Sequence, residues 1–165
     1  MENMIEIRDT PSDNPTILCD VSNTLLGVGW QNDALIKQLN EAESKGVNVQ
    51  LCTAELNGLR DETARDEAFK GERGGRFARN YRSDLLSAGL SESIVNNVKG
   101  KRYAGLVMDA SVVAIIDDEL DSNMVEVAEG LNADVKIFHP KFDSAQIQEF
   151  LRQIISSQDK GRELH

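Results

Sequence analysis

Short apolar runs recur along the chain, and three of them stop at a polar residue able to do chemistry. Thr16-Ile17-Leu18-Cys19 leads into Asp20, Val47-Asn48-Val49-Gln50-Leu51-Cys52 into Thr53, and Val112-Val113-Ala114-Ile115-Ile116 into Asp117. A further run, Val135-Lys136-Ile137-Phe138, closes beside His139-Pro140. Their length and β-branched content predict strands. The run ending at Asp117 is apolar throughout, as expected of a parallel strand covered on both faces.

Helical periodicity separates these runs. Leu35, Leu39 and Ala42 recur at i, i+4, i+7, with Gly46 as a stop. Tyr103, Leu106 and Val107 form a short helical stripe, and Val125, Ala128 and Leu131 another. Ile147, Phe150, Leu151 and Ile154 form the last, with Asp143 and Gln146 spaced as a capping box. Residues 61–73 read as a charged helix with little apolar face, Gly74-Gly75 as a loop, and residues 85–90 as a short helix stopped near Gly89. Ile94, Val95 and Val98 fit an edge strand or a turn of helix equally well. Strand alternating with helix implies βαβ units and a parallel sheet, hence an α/β, three-layer Rossmann-like fold. Ligands of such sheets lie at the carboxyl ends of the strands, where Asp20, Thr53 and Asp117 are expected to converge.

A length of 165 residues fits one domain spanning 1–165, with a core over about 14–156 and polar tails. The composition, 40% hydrophobic and 28% charged, is that of a soluble globular protein. No apolar run is long enough to cross a bilayer, and the polar N-terminus lacks the features of a secretory signal, so a cytoplasmic protein is expected. The net charge of −10 disfavours broad contact with a nucleic-acid backbone. Cys19 and Cys52 are too few for a disulfide framework and are expected as buried small hydrophobes. Basic residues concentrate once, at Arg73, Arg76, Arg79 and Arg82, with Phe77 and Tyr81 interleaved. That stripe could contact phosphate or nucleic acid, but a solvated face paired with the preceding acidic stretch is the favoured reading. His139 reads as structural, and Trp30 with Gly27-Val28-Gly29 as a flap over the site.

Four segments together resemble the haloacid dehalogenase superfamily. Ile17-Leu18-Cys19-Asp20-Val21-Ser22-Asn23-Thr24 resembles its first motif, Asp-x-Asp-x-Thr after an apolar strand, and Leu51-Cys52-Thr53 resembles its second. Lys99 or Lys101 falls at the third-motif lysine, with Lys101 preferred. Ile115-Ile116-Asp117-Asp118-Glu119-Leu120-Asp121 resembles the fourth. The resemblance implies Mg²⁺-dependent phosphoryl transfer through an aspartyl-phosphate at Asp20. By the same resemblance, Asp20, Asp117 and the Ser22 backbone carbonyl would hold the metal. Asp121 would bind it through water or orient its ligands, Asp118 would be a neighbour rather than a ligand, and Thr53 and the lysine would hold phosphoryl oxygens.

The first motif departs from the family at one position. Family phosphatases carry a second Asp two residues after the nucleophile as acid and base, and here that position is Ser22. A serine hydroxyl is a poor proton carrier near neutral pH, and such help is typically worth about 10²–10⁴-fold. The resemblance therefore implies a slow phosphohydrolase or phosphotransferase; the alternative is a catalytically degraded fold serving as a binding or regulatory protein. The motif spacing leaves no room for a separate cap domain, so an open site is expected, acting on a phosphorylated substrate and available to a protein partner that covers it. A receiver domain also uses Asp, Thr and Lys, but places its paired acids on the first strand, whereas Asp117-Asp118 come late.

Overall fold

The computed structural model describes residues 5–56, 59, 61–71, 80–101 and 106–163, with side chains as far as residue 160. Its strands are β1 (Glu6–Ile7), β2 (Thr16–Cys19), β3 (Leu26–Gly27), β4 (Trp30–Gln31), β5 (Asn48–Thr53), β6 (Val98–Gly100), β7 (Val107–Met108), β8 (Val112–Ile116) and β9 (Lys136–Phe138). Its helices are α1 (Asp33–Ser44), α2 (Glu62–Phe69), α3 (Tyr81–Ser87), α4 (Glu92–Val95), α5 (Ser122–Leu131) and α6 (Ser144–Glu163), with a 3₁₀ turn at Ala54–Leu56.

Five strands form a central sheet in the order β6-β5-β2-β8-β9, every pair parallel. Alternation along each strand sends side chains to opposite faces. Ile17 and Cys19 join Leu35, Leu39, Leu51, Leu85, Ile147 and Leu151 on one face. Leu18 and Ile115 join Met108, Met124 and Ala128 on the other. Helices thus flank the sheet on both sides, a Rossmann-like three-layer α/β arrangement. Burying each such aliphatic side chain is worth about 1.5–3 kcal/mol, so the two faces supply the main force holding the sheet.

The pairing of β2 with β8 contains a register shift. Thr16 pairs with Val112, but Ile17 pairs with Ala114 and Cys19 with Ile116. The extra residue is Val113, and Val113 and Ala114 in succession pack towards the same core cluster.

Local chemistry sets the element ends. Asn32 caps α1 by accepting the Leu35 N–H at 3.2 Å, and Gly46, at φ 95°, turns the chain into β5. Asn80 caps α3 in the same way, accepting the Ser83 N–H at 2.8 Å, so that helix begins earlier than the apolar pattern suggests. Ile94, Val95 and Val98 divide between two elements: the first two lie in α4 and the third opens β6.

Several expectations are corrected. Leu106 and Val107 do not open a helix, because Val107 and Met108 pair in parallel with Glu6 and Ile7 of β1; Tyr103 lies outside the described residues. The N-terminal segment is more than a tail, since Ile5 is buried in the second core cluster. The charged helix of residues 61–73 appears as α2, which buries Arg65, Ala68 and Phe69 and so has an inward face. Asp143 accepts the His139 N–H at 2.7 Å, tying the start of α6 to the end of β9 in place of the expected capping box. Gly74 and Gly75 lie outside the described residues, as do Arg73, Arg76, Phe77 and Arg79. Among the described residues, no helix is long and apolar enough to cross a membrane.

Ile116 is 1% exposed and immediately precedes Asp117. Ile116→Ala should lower unfolding stability by about 2–5 kcal/mol, read as a reduced urea midpoint at unchanged slope.

Candidate functional site

Four neighbouring strands end side by side, and each delivers one polar side chain. Asp20 follows the last residue of β2, and its N–H donates to the Ile116 carbonyl at 2.9 Å. Asp117 follows β8, its N–H held by the Phe138 carbonyl at 3.1 Å. Thr53 is the last residue of β5 and pairs with Gly100, so Lys101 emerges next to it from β6. The chain leaves β2 for β5 on one side and returns to β8 on the other, which places Asp20 and Asp117 at the switch point of the sheet.

The side chains form one ion cluster. The Lys101 ammonium lies 2.5 Å from Asp117 Oδ2 and 3.2 Å from Asp20 Oδ1. Thr24 Oγ1 donates to Asp20 Oδ2 at 3.0 Å, and the Glu119 N–H donates to Asp117 Oδ1 at 3.0 Å. Asp20, Asp117 and Lys101 are each no more than 3% exposed. Burial outweighs the Lys101 cation at Asp20, and with Asp117 and Asp118 nearby its carboxyl is pushed up to about 8. Burial also raises Asp117, against the pull of Lys101. Lys101, despite its burial, is held charged by the two carboxylates.

Asp20, Asp117 and the half-buried Asp118 each offer an oxygen within 4.8 Å of the others, a group that could hold a metal ion. Hard carboxylate oxygens suit Mg²⁺ or a similar cation. Asp118 is therefore closer to the centre than the sequence suggests. Asp121 lies on the wall of the cleft, where its carboxylate caps α5 by accepting the Met124 N–H at 3.1 Å.

The cleft over this cluster has a volume of about 460 Å³ and is lined by Asp20, Ser22, Thr53, Glu55, Lys101 and Asp118 among others. Lys101 is the lysine that enters it. Lys99 instead lines a separate cleft with Thr16, Asn48 and Val112, at the amino ends of the strands. Ser22 points to a carboxylate: its Oγ donates to Glu55 Oε1 at 2.7 Å, and the Tyr81 hydroxyl donates to the same oxygen at 2.6 Å. Sequence reasoning missed Glu55, which sits in the 3₁₀ turn two residues past Thr53 and so lies beside the site whenever Thr53 does. It placed Tyr81 in the arginine stripe. Arg82, the member of that stripe within the described residues, reaches Glu92 at 3.7 Å and Asn96 at 3.3 Å.

The segment expected as a flap over the site forms an antiparallel hairpin of β3 and β4, with Val28 almost fully exposed and Gly29 at φ 77°; Trp30 lines a depression beside the main cleft, whose described lining includes no residue of the hairpin. The Trp30 indole lies across Gly27 so closely that a Cβ there would overlap the ring. His139 is structural: its Nδ1 accepts the N–H groups of Lys141 and Phe142 at 3.1 and 3.2 Å. Cys19 and Cys52 are free and buried, and burial raises both thiols.

No family model, curated protein or solved structure matches the chain, so the functional reading rests on this geometry and the motifs that produce it.

Two predictions concern the charges. Asp20 ionises near 3.8 in an unfolded chain but near 8 in the fold, so deprotonation favours unfolding throughout that window. The metal-free protein should therefore lose stability as pH rises from about 4 to about 8, and Asp20→Asn should flatten that slope; equal urea midpoints for the wild type at both ends would contradict it. Lys101→Met leaves two buried carboxylates without their cation once Asp20 is ionised, and should cost about 3–5 kcal/mol above about pH 8, measured by denaturant unfolding.

Proposed function

We propose that the protein is a divalent-metal-dependent phosphohydrolase or phosphotransferase of the haloacid dehalogenase type, with Asp20 as its nucleophile. The observation that carries this reading is the convergence of four adjacent strand ends, which bring Asp20, Thr53 and Lys101 to one cleft and pair Lys101 with the buried Asp117. Asp20 and Asp117, with the Ser22 carbonyl and Asp118 close by, would hold Mg²⁺. When bound, the ion offsets the repulsion between a carboxylate nucleophile and an anionic phosphoryl group.

The chain's own residues do the rest. Thr24 fixes one oxygen of Asp20 and so aims the other at the cleft. Attack on phosphorus at Asp20 would form an aspartyl-phosphate. The Thr53 hydroxyl and the Lys101 ammonium are positioned to hold phosphoryl oxygens and neutralise the charge that develops there. The described lining of the cleft includes no residue of β3 or β4, and Glu119 and Leu120 on its wall are exposed, so a phosphoryl group on a large substrate could reach Asp20.

A second reading draws on a specific observation. All four carboxylate oxygens of Asp20 and Asp117 already have protein partners in Lys101, Thr24 and the Glu119 N–H. A cluster so satisfied could serve as a fixed structural element of a binding or regulatory protein. Metal titration separates the two readings. Calorimetry should detect Mg²⁺ binding that disappears in Asp20→Asn, accompanied by Mg²⁺-dependent cleavage of p-nitrophenyl phosphate that the same substitution abolishes. Activity persisting in Asp20→Asn would overturn the nucleophile, and absence of both binding and cleavage in the wild type would favour the binding module.

A further inference from the structure

A carboxylate that has accepted a phosphoryl group is freed only when water attacks phosphorus, and that water must lose a proton. Ser22 cannot take it efficiently. Its hydroxyl is instead spent on Glu55. Ser22 Oγ and the Tyr81 hydroxyl both donate to Glu55 Oε1, at 2.7 and 2.6 Å. Among the described residues, no hydrogen bond reaches Glu55 Oε2. The side chain is half-buried on the wall of the cleft that also holds Asp20. Its backbone lies in the turn after Thr53, with the Glu55 N–H donating to Thr53 Oγ1 at 3.4 Å, so it is anchored to the same strand end. Tyr81 is itself fixed by stacking on Phe69, with ring centroids 6.2 Å apart. Of the other acids on the wall of the cleft, Asp118 belongs to the group that could hold a metal ion, Asp121 caps α5, and Glu119 is exposed to solvent rather than held in place as Glu55 is.

We propose that Glu55 is the general base of this site and releases the phosphoryl group from Asp20, with Ser22 and Tyr81 as positioning residues. The proposal rests on the phosphoryl-transfer reading given above. In the step, a water proton passes to Glu55 Oε2 while the water oxygen forms a new bond to phosphorus. The bond between phosphorus and the Asp20 oxygen breaks, and its electron pair returns to the Asp20 carboxylate. Inorganic phosphate leaves, and Glu55 gives its proton to bulk water across the open cleft. A substrate class follows. With Ser22 in place of an acid, the leaving group of the first step has no efficient proton donor at that position. Leaving groups stable as anions, those of acyl phosphates, aryl phosphates and phosphoanhydrides, are favoured over alkyl phosphates.

The test is to mix the Mg²⁺-loaded protein with acetyl phosphate and follow phosphoprotein by intact mass after quenching. Glu55→Gln should be phosphorylated as fast as wild type yet lose the group about 10²–10⁴-fold more slowly, so that phosphoprotein accumulates. Tyr81→Phe keeps the ring stack and should lengthen the phosphoprotein lifetime by a smaller factor, with the initial phosphorylation rate unchanged. Glu55→Gln protein that turns over at the wild-type rate without accumulation overturns the base while leaving the nucleophile intact. If wild type and Glu55→Gln both fail to take up phosphoryl groups, the phosphoryl-transfer reading falls and this proposal with it. Should Glu55→Gln not fold, an unaltered lifetime in Tyr81→Phe counts against the assignment.

Discussion

One ammonium group answers for two buried carboxylates at the carboxyl edge of the sheet. Removing charges from water is costly, and an interior ion pair offsets that cost only when its geometry is close and its remaining hydrogen bonds are met. Lys101 meets this condition, within 2.5 Å of Asp117 and 3.2 Å of Asp20, while Thr24 and the Glu119 N–H satisfy the other oxygens. Burial, more than the neighbouring carboxylates, is what raises the Asp20 carboxyl. A divalent cation beside it would offset the cost of ionising it.

The strands that carry the acids were legible because each is a continuous apolar run of β-branched character ending in one polar residue. Asp20, Thr53 and Asp117 could be placed on one edge from parallel topology alone. Elements too short to show a period were not legible. A stripe of Tyr103, Leu106 and Val107 fits a helix by spacing, yet Val107 belongs to a two-residue strand fixed by pairing with a segment a hundred residues away. The choice between Lys99 and Lys101 depended on where β6 ends, which an edge strand of three residues does not announce. Glu55 carries no motif signal at all; its relation to Ser22 comes from the 3₁₀ turn that folds the chain back after Thr53.

Large apolar side chains are left exposed at Leu120 on the cleft wall and at Val28 and Trp30 on the hairpin. Trp30, His139 and Lys141 line a second depression of about 420 Å³ that shares Asn23 and Asp118 with the main cleft. Asp20, Lys101 and Asp117 are buried, while Leu120 on the wall is half exposed.

The extra residue at Val113 has a reach well beyond its own position. It lies at the far end of β8 from the acids, yet it sets the phase in which β8 runs alongside β2. Carried forward from the pairing of Thr16 with Val112, an unbroken ladder would set Asp20 opposite Ile116 and leave Asp117 one step beyond, displaced by about 3.3 Å and facing the opposite side of the sheet. A single ammonium could not then span both carboxylates. The irregularity works as a gauge at one end of the strand that sets the spacing of the charges at the other.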